Sequence, residues 1–307
     1  IAVLFLSRIL DGLTGGNITV AQAYISDVTD EQNRARGLGM IGAAFGLGFI
    51  IGPAVGGALS QWGYNLPAFV AAGVSLTNLV AIYFFLPESL TAENRDAAMQ
   101  RRRVPFTIRA MFQALQQPRV GPLLHIRFFY GLAFATFQSI FALYAQSIGL
   151  SSQTTGYVLA YVGLLSVVVQ AGLIGMLTRR FRENWLILTG LWIMAGALLA
   201  WAFTSSLVVL LIVLAPLSLS GGVLNTVIQS AISKSVSREE VGGMLGIASS
   251  LEAITRVIAP TVGGLLLQNL GRWAPGVFSA ILMAWVVTFT YRRIILPAQR
   301  ERLAAQN

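Results

Sequence analysis

Long apolar runs alternate with short polar segments along the whole chain. Nine runs, near residues 1–25, 38–60, 66–86, 122–147, 154–178, 185–204, 207–231, 243–267 and 274–291, are each long enough to cross a bilayer as one helix, which takes roughly 20 residues. The pattern predicts an all-α membrane protein of nine transmembrane helices. The run at 46–57, GLGFIIGPAVGG, has five glycines and a proline yet lies inside an uncharged stretch. Within lipid such a segment stays helical, because no water competes for its backbone hydrogen bonds.

The connectors alternate in charge. Those on one side carry 17 cations, from Arg34 and Arg36 through the 87–121 loop to the C-terminal tail, and those on the other side carry only Arg272. Arg8, Arg127 and Arg256 fall within spans. Cationic loops stay on the cytoplasmic face, so the central loop and the C-terminus are expected there, in a cell (plasma or inner) membrane.

Composition agrees. Of 307 residues, 55% are hydrophobic and 11% charged, against about a quarter charged in ordinary globular domains. The net charge of +9 reports topology and contact with anionic lipid rather than nucleic acid. No cysteine and a single histidine, His125, leave no thiolate or histidine metal site. No nucleophile–base pair or phosphate loop is present, so the chain is expected not to be an enzyme and to need no cofactor.

A shift of 207 residues lays the sequence on itself. Pro53 then meets Pro260, Gly56 and Gly57 meet Gly263 and Gly264, Gly39 meets Gly246, and Gln22 meets Gln229. Helix-opening capping signals recur at Thr29 and Ser237. The later half has three spans before its copy of span 1–25, so about 85 residues and three spans are expected upstream of Ile1. The implied whole is two parallel six-span halves. In this chain residues 1–86 are the remainder of the first half, 87–121 a cytoplasmic central loop, 122–296 the second half, and 297–307 a cytoplasmic tail.

On that frame the motifs resemble the major facilitator superfamily, in particular its twelve-span drug:proton antiporter branch, which includes tetracycline/proton efflux proteins. FLSRILDGLTGG (5–16) resembles the fourth-span motif, with Arg8 and Gly12 in place and Asp11 where glutamine is usual. Gly39, Gly48, Gly52, Pro53, Gly56 and Gly57 match the antiporter signature. GMLTRRFREN (175–184) is a degenerate loop motif: Gly175, Leu177 and Arg180 match, whereas Arg179 replaces the acid and Arg182 a glycine. The resemblance implies proton-coupled efflux of small amphipathic compounds by alternating access, with substrate, protons and the bilayer as partners and a monomeric state. The rival readings are a symporter importing sugars or metabolites and a non-transporting receptor or scaffold.

Charges within lipid need a reason. Arg8, Asp11, Gly12, Gly15, Thr19 and Gln22 form one helical stripe, and Arg8 can pair with Asp11 three residues on. Glu252 and Arg256, four apart, can pair likewise. Each pair fits either an internal salt bridge or a proton-coupling role. The resemblance supports Arg8 in coupling. The resemblance implies that spans 1–25, 122–147 and 207–231 line the central cavity, which makes Gly15, Thr19, Gln22, Tyr130, Phe134, Gln138, Phe141, Asn225 and Gln229 the candidate cavity surface, on three stripes, the last of which also holds Ser218, Gly221 and Gly222. Each aromatic among them can equally face lipid. Arg127 and His125, near the cytoplasmic end, are expected to snorkel to headgroups. Gly48, Gly52 and Gly56 offer a flat packing face beside a bend at Pro53. That face serves helix packing or, by resemblance, a tight outward gate.

Overall fold

A computed structural model describes residues 2–14, 20–21, 24–25, 28–29, 31–88, 108–169, 173–236, 240–297 and 299–300. All of its regular elements are helices. They are α1 (Ala2–Thr14), α2 (Glu31–Leu59), α3 (Asn65–Phe85), α4 (Ile108–Gln116), α5 (Gly121–Ser147), α6 (Ser152–Val168), α7 (Ile174–Arg180), α8 (Glu183–Ala202), α9 (Leu207–Lys234), α10 (Val241–Leu270) and α11 (Ala274–Thr290). A 3₁₀ turn, Ser60–Trp62, follows α2, and a π-helical turn, Tyr291–Ile295, extends α11.

Among the described residues six helices are long and apolar enough to cross a membrane: Asn65–Phe85, Gly121–Ser147, Glu183–Ala202, Leu207–Lys234, Gly243–Leu270 and Ala274–Ile295. Of the other three expected spans, 38–60 lies largely in α2, 154–178 holds α6 and the start of α7 with 170–172 outside the described residues, and 1–25 is described as a helix over α1.

The internal repeat reappears as helix boundaries. A shift of 207 carries α1 into α9, α2 onto 238–266 of the α10 region, and α3 onto 272–292 around α11. Pro53 and Pro260 both lie inside uninterrupted helices. Each removes one backbone hydrogen bond without ending its helix. Thr29, two residues before α2, donates its hydroxyl to the Ile25 carbonyl at 2.5 Å. Ser237 lies outside the described residues. True caps occur at Ser151 and Ser206, whose hydroxyls accept from the backbone N–H of Thr154 and Val209.

The chain divides into two compact units, residues 1–48 with 65–105, and residues 49–64 with 106–307. In the first, α3 has no buried residue. In the second, α5 packs against α10 and α11, α8 against α9 and α11, and α6 against α9. Its core runs through Phe137, Phe141, Tyr144, Leu191, Met194, Leu198, Trp201 and Leu214, all fully buried or nearly so. Small residues set the closest approaches. A Cβ on Gly263 would stand 2.4 Å from the Ile140 side chain, and one on Gly156 would stand 2.4 Å from the Pro53 carbonyl oxygen.

The two ends of this second bundle differ. At one end the Tyr144 hydroxyl reaches the Trp201 and Thr204 carbonyl oxygens at 2.8 and 2.7 Å, closing α5 on the end of α8. At the other, Lys234 at the end of α9 reaches Glu183 at the start of α8 at 2.6 Å. Arg119, Arg179, Arg180 and Arg182 belong to this second end, as the alternating connector charges predict.

Candidate functional site

The charged site of the second bundle is built on α5, α9 and α10. Arg127 stands under two turns into α5, and its guanidinium is almost buried, at 9% exposure for the residue. A lone buried cation is expensive in lipid, and this one is satisfied by two side chains distant in sequence. Nη1 donates to Asn225 Oδ1 on α9 at 2.6 Å, and Nη2 donates to Glu252 Oε2 on α10 at 2.5 Å. The other carboxylate oxygen, Glu252 Oε1, accepts from Arg256 Nη2 at 2.8 Å. Glu252 is therefore held between two guanidiniums, one buried and one 74% exposed. The three charged groups sum to +1.

One turn beyond Arg127 lies Tyr130, whose hydroxyl donates to the Gly221 carbonyl at 3.1 Å. Phe134 follows, its ring stacked on Tyr130 with centroids 6.0 Å apart. Gly221 faces Phe134 here: a Cβ on it would lie 3.4 Å from that ring. Polar, aromatic and small groups of α5 and α9 thus share one seam. Beside it α10 approaches α5 at Gly131, opposite Thr255.

The sequence-derived candidates divide in place. Asn225, Glu252 and Arg256 come together around Arg127, which was not among them, and Tyr130 and Phe134 lie along the same seam. Gln138 and Gln229 are exposed. Phe141 is packed in the core, its ring 5.4 Å from that of Phe137. Ser218 is buried and donates to the carbonyl of Leu214 in its own helix. Arg8 and Asp11 pair at 3.7 Å with both side chains exposed. Gly15, Thr19 and Gln22 lie outside the described residues. Gly39, Gly48, Gly52, Pro53, Gly56 and Gly57 all fall in α2, and Gly57 meets Gly156 of α6 backbone to backbone. Gly175 and Arg180 lie in α7.

Arg127 departs from its expected snorkelling position. His125, two residues earlier, sits about 200° around the helix. It bonds the Gly121 carbonyl oxygen at 2.8 Å and lies against the Phe289 ring. The two residues therefore serve opposite faces of α5, His125 toward α11 and Arg127 toward α9 and α10. A depth count was the available signal. Arg127, Asn225 and Glu252 lie six, nine and eleven residues from the basic ends of their helices, about 9 to 16 Å at 1.5 Å per residue. An acid at that depth calls for a cation at a matching one.

Known proteins match this chain along most of its length. A family model described as Major Facilitator Superfamily matches residues 1–183 and 123–306. Solute carrier family 22 member 18 of Rattus norvegicus is 31% identical over 271 residues, covering 88% of this chain and 66% of that protein. The class C tetracycline resistance protein of Escherichia coli is 28% identical over 302 residues, covering 97% of this chain and 73% of that protein. Multidrug resistance protein 2 of Bacillus subtilis is 26% identical, covering 92% and 70%. The chain spans about two thirds of the length of the solute carrier relatives it matches. A crystal structure of the human organic anion transporter MFSD10 shares the fold at a TM-score of 0.66 and 24% identity, over 94% of this chain and 71% of that one.

Proposed function

The chain belongs to the Major Facilitator Superfamily, and from that premise we propose that it serves proton-coupled export of small amphipathic organic compounds by alternating access, in a cell membrane with the central loop and C-terminus cytoplasmic. The chain is a multi-pass membrane protein of a transporter family. Relatives named for tetracycline and multidrug resistance favour export of drug-like compounds, and the antiporter signature in α2 favours exchange over import.

The observation that carries the reading is Glu252 held between Arg127 and Arg256, with Asn225 on the second donor of Arg127. In this reading Glu252 exchanges its cationic partners for a proton. When Glu252 takes a proton its charge is lost, and the two guanidiniums are released to a new arrangement. Such an exchange supplies the two discrete states that alternating access needs. Phe134 offers aromatic surface next to it, Gln138 and Gln229 offer amides, and this mixture suits an amphipathic, weakly polar compound. In this reading Arg8 and Asp11 form a second proton-coupling pair.

The test uses the full-length protein in vesicles with an imposed pH gradient and a fluorescent amphipathic compound. Antiport accumulates the compound in inside-acid vesicles. Accumulation in inside-alkaline vesicles instead means symport and import, and no movement under either gradient means a receptor or scaffold. Either result overturns the reading.

A further inference from the structure

The basic end of the second bundle contains a cavity that the transport reading does not use. It is open, about 670 Å³, and lined by Thr178, Arg179, Arg180, Phe181, Arg182, Glu183, Asn184 and Lys234. Four cations and one carboxylate give the lining a net charge of +3. The carboxylate is already engaged: Glu183 Oε1 accepts from Lys234 Nζ at 2.6 Å and from the Ser230 hydroxyl at 2.8 Å. No described carboxylate lies within ion-pair distance of Arg179, Arg180 or Arg182. The adjacent cavity, about 610 Å³ and sharing Lys234, is lined by both Arg119 and Glu240 and lacks this excess. The positive charge is therefore concentrated at the turn between α7 and α8, where Arg179 occupies the position of the acid in the motif this loop resembles.

The surroundings are apolar. Leu173 just before α7, Met176 on α7, Phe181 in the turn and Trp185 in the first turn of α8 are exposed, with Met176 at 64% and Phe181 at 50% exposure. Aromatic side chains of this kind collect at headgroup depth, and long apolar side chains below them meet acyl chains. A soluble anion would match the arginines but gain nothing from these four residues. An amphiphile with an anionic head matches both, and basic pockets at helix ends on the cationic face bind acidic phospholipid headgroups.

We propose that the cavity between α7, α8 and the end of α9 is a binding site for one anionic phospholipid, its phosphate held by Arg179, Arg180 and Arg182 and its acyl chains lying along Met176 and Trp185. Lys234 stays on Glu183 and fixes α9 against α8, so the lipid occupies the cavity without breaking that bridge. The proposal rests on membrane insertion alone and does not depend on the direction of transport.

Native mass spectrometry of the detergent-solubilised full-length protein tests it, with dioleoylphosphatidylglycerol, dioleoylphosphatidylcholine and inorganic phosphate as probes. Each basic residue near an anionic headgroup contributes about five-fold in binding. The expected results are retention of one phosphatidylglycerol in preference to phosphatidylcholine and binding at least about ten-fold weaker in R179Q/R180Q/R182Q. Because the triple variant can fail to fold, R179K/R180K/R182K is run beside it and is expected to keep most of the binding. The wild-type preference between the two lipids is an independent reading. Equal retention of the two lipids, or undiminished phosphatidylglycerol binding in the folded glutamine variant, overturns the proposal. Displacement of the lipid by excess inorganic phosphate assigns the site to a free anion and overturns it as well.

Discussion

Arg127 and Glu252 are 125 residues apart in sequence and joined by a direct Nη2 to Oε2 contact, while the second arm of the same guanidinium holds Asn225. One side chain thereby ties α5 to both α9 and α10. Arginine suits this role because its planar fork presents two donors in fixed geometry, whereas lysine offers a point charge.

The two arginines on Glu252 are unequal, and stability measurements will separate them. Removing Arg127 strands a partly buried carboxylate and an amide. Breaking a buried pair from one side costs on the order of 3 kcal/mol or more. Arg256 is largely exposed and four residues from Glu252 on one helix, a geometry that contributes about 0.3–0.5 kcal/mol. Arg127→Ala is expected to lower the midpoint of thermal unfolding in detergent markedly and Arg256→Ala only slightly. Arg127→Lys should recover part of the loss, since it reaches Glu252 or Asn225 but does not grip both in one plane.

Tyr144 offers a second test, remote from the charged site. Its buried hydroxyl lies 2.8 and 2.7 Å from the Trp201 and Thr204 carbonyl oxygens and 2.6 Å from the Thr204 hydroxyl, where α8 ends. Tyr144→Phe removes the donor to the Thr204 carbonyl oxygen, at about 1–3 kcal/mol, while the Trp201 carbonyl keeps the Thr204 hydroxyl and N–H at 3.0 and 3.1 Å. Lower thermal stability with unchanged affinity for transported compounds is the expected outcome, measured by unfolding and by equilibrium binding on the same preparation.

Glycine substitutions divide by location. A Cβ on Gly156 would stand 2.4 Å from the Pro53 carbonyl oxygen and 2.8 Å from Gly57 Cα, both backbone atoms that have no rotamer to yield. Gly156→Ala must push the end of α2 away from α6 and is expected to reduce both stability and transport. Gly196, exposed on α8, has nothing within 4 Å of its added Cβ. Gly196→Ala should be neutral or stabilising by up to about 1 kcal/mol, through helix propensity. Similar unfolding midpoints for the two variants would mean that the α2–α6 contact carries no weight.

Much of the architecture was legible in the sequence because hydropathy and loop charge are local properties. The helices around residues 66–86, 122–147, 185–204, 207–231, 243–267 and 274–291 follow from uninterrupted apolar length, and the 207-residue repeat follows from glycines and prolines that only particular backbone positions require. The site was less legible. The Glu252–Arg256 pair was readable, since four residues is one helical turn. Arg127–Glu252 and Arg127–Asn225 were not, because they join different helices and depend on helix rotation, which hydropathy leaves unspecified. The same ambiguity makes Phe141 a plausible surface residue by periodicity, although α5 turns it into the core. The Glu183–Lys234 bridge, between α8 and α9, gave no sequence signal for the same reason.

The central claim is that Glu252 carries the exchanged proton, and the most direct measurement is compound-induced proton release from full-length protein, wild type beside Glu252→Gln. An amide keeps the shape, and its single carbonyl oxygen accepts from one of the two arginines, but it holds no exchangeable acid proton. Glu252→Gln is expected to retain compound counterflow between vesicle compartments at equal pH while its proton release falls at least about ten-fold. Proton release per compound equal to that of the wild type, in a variant that still exchanges compound, would contradict it.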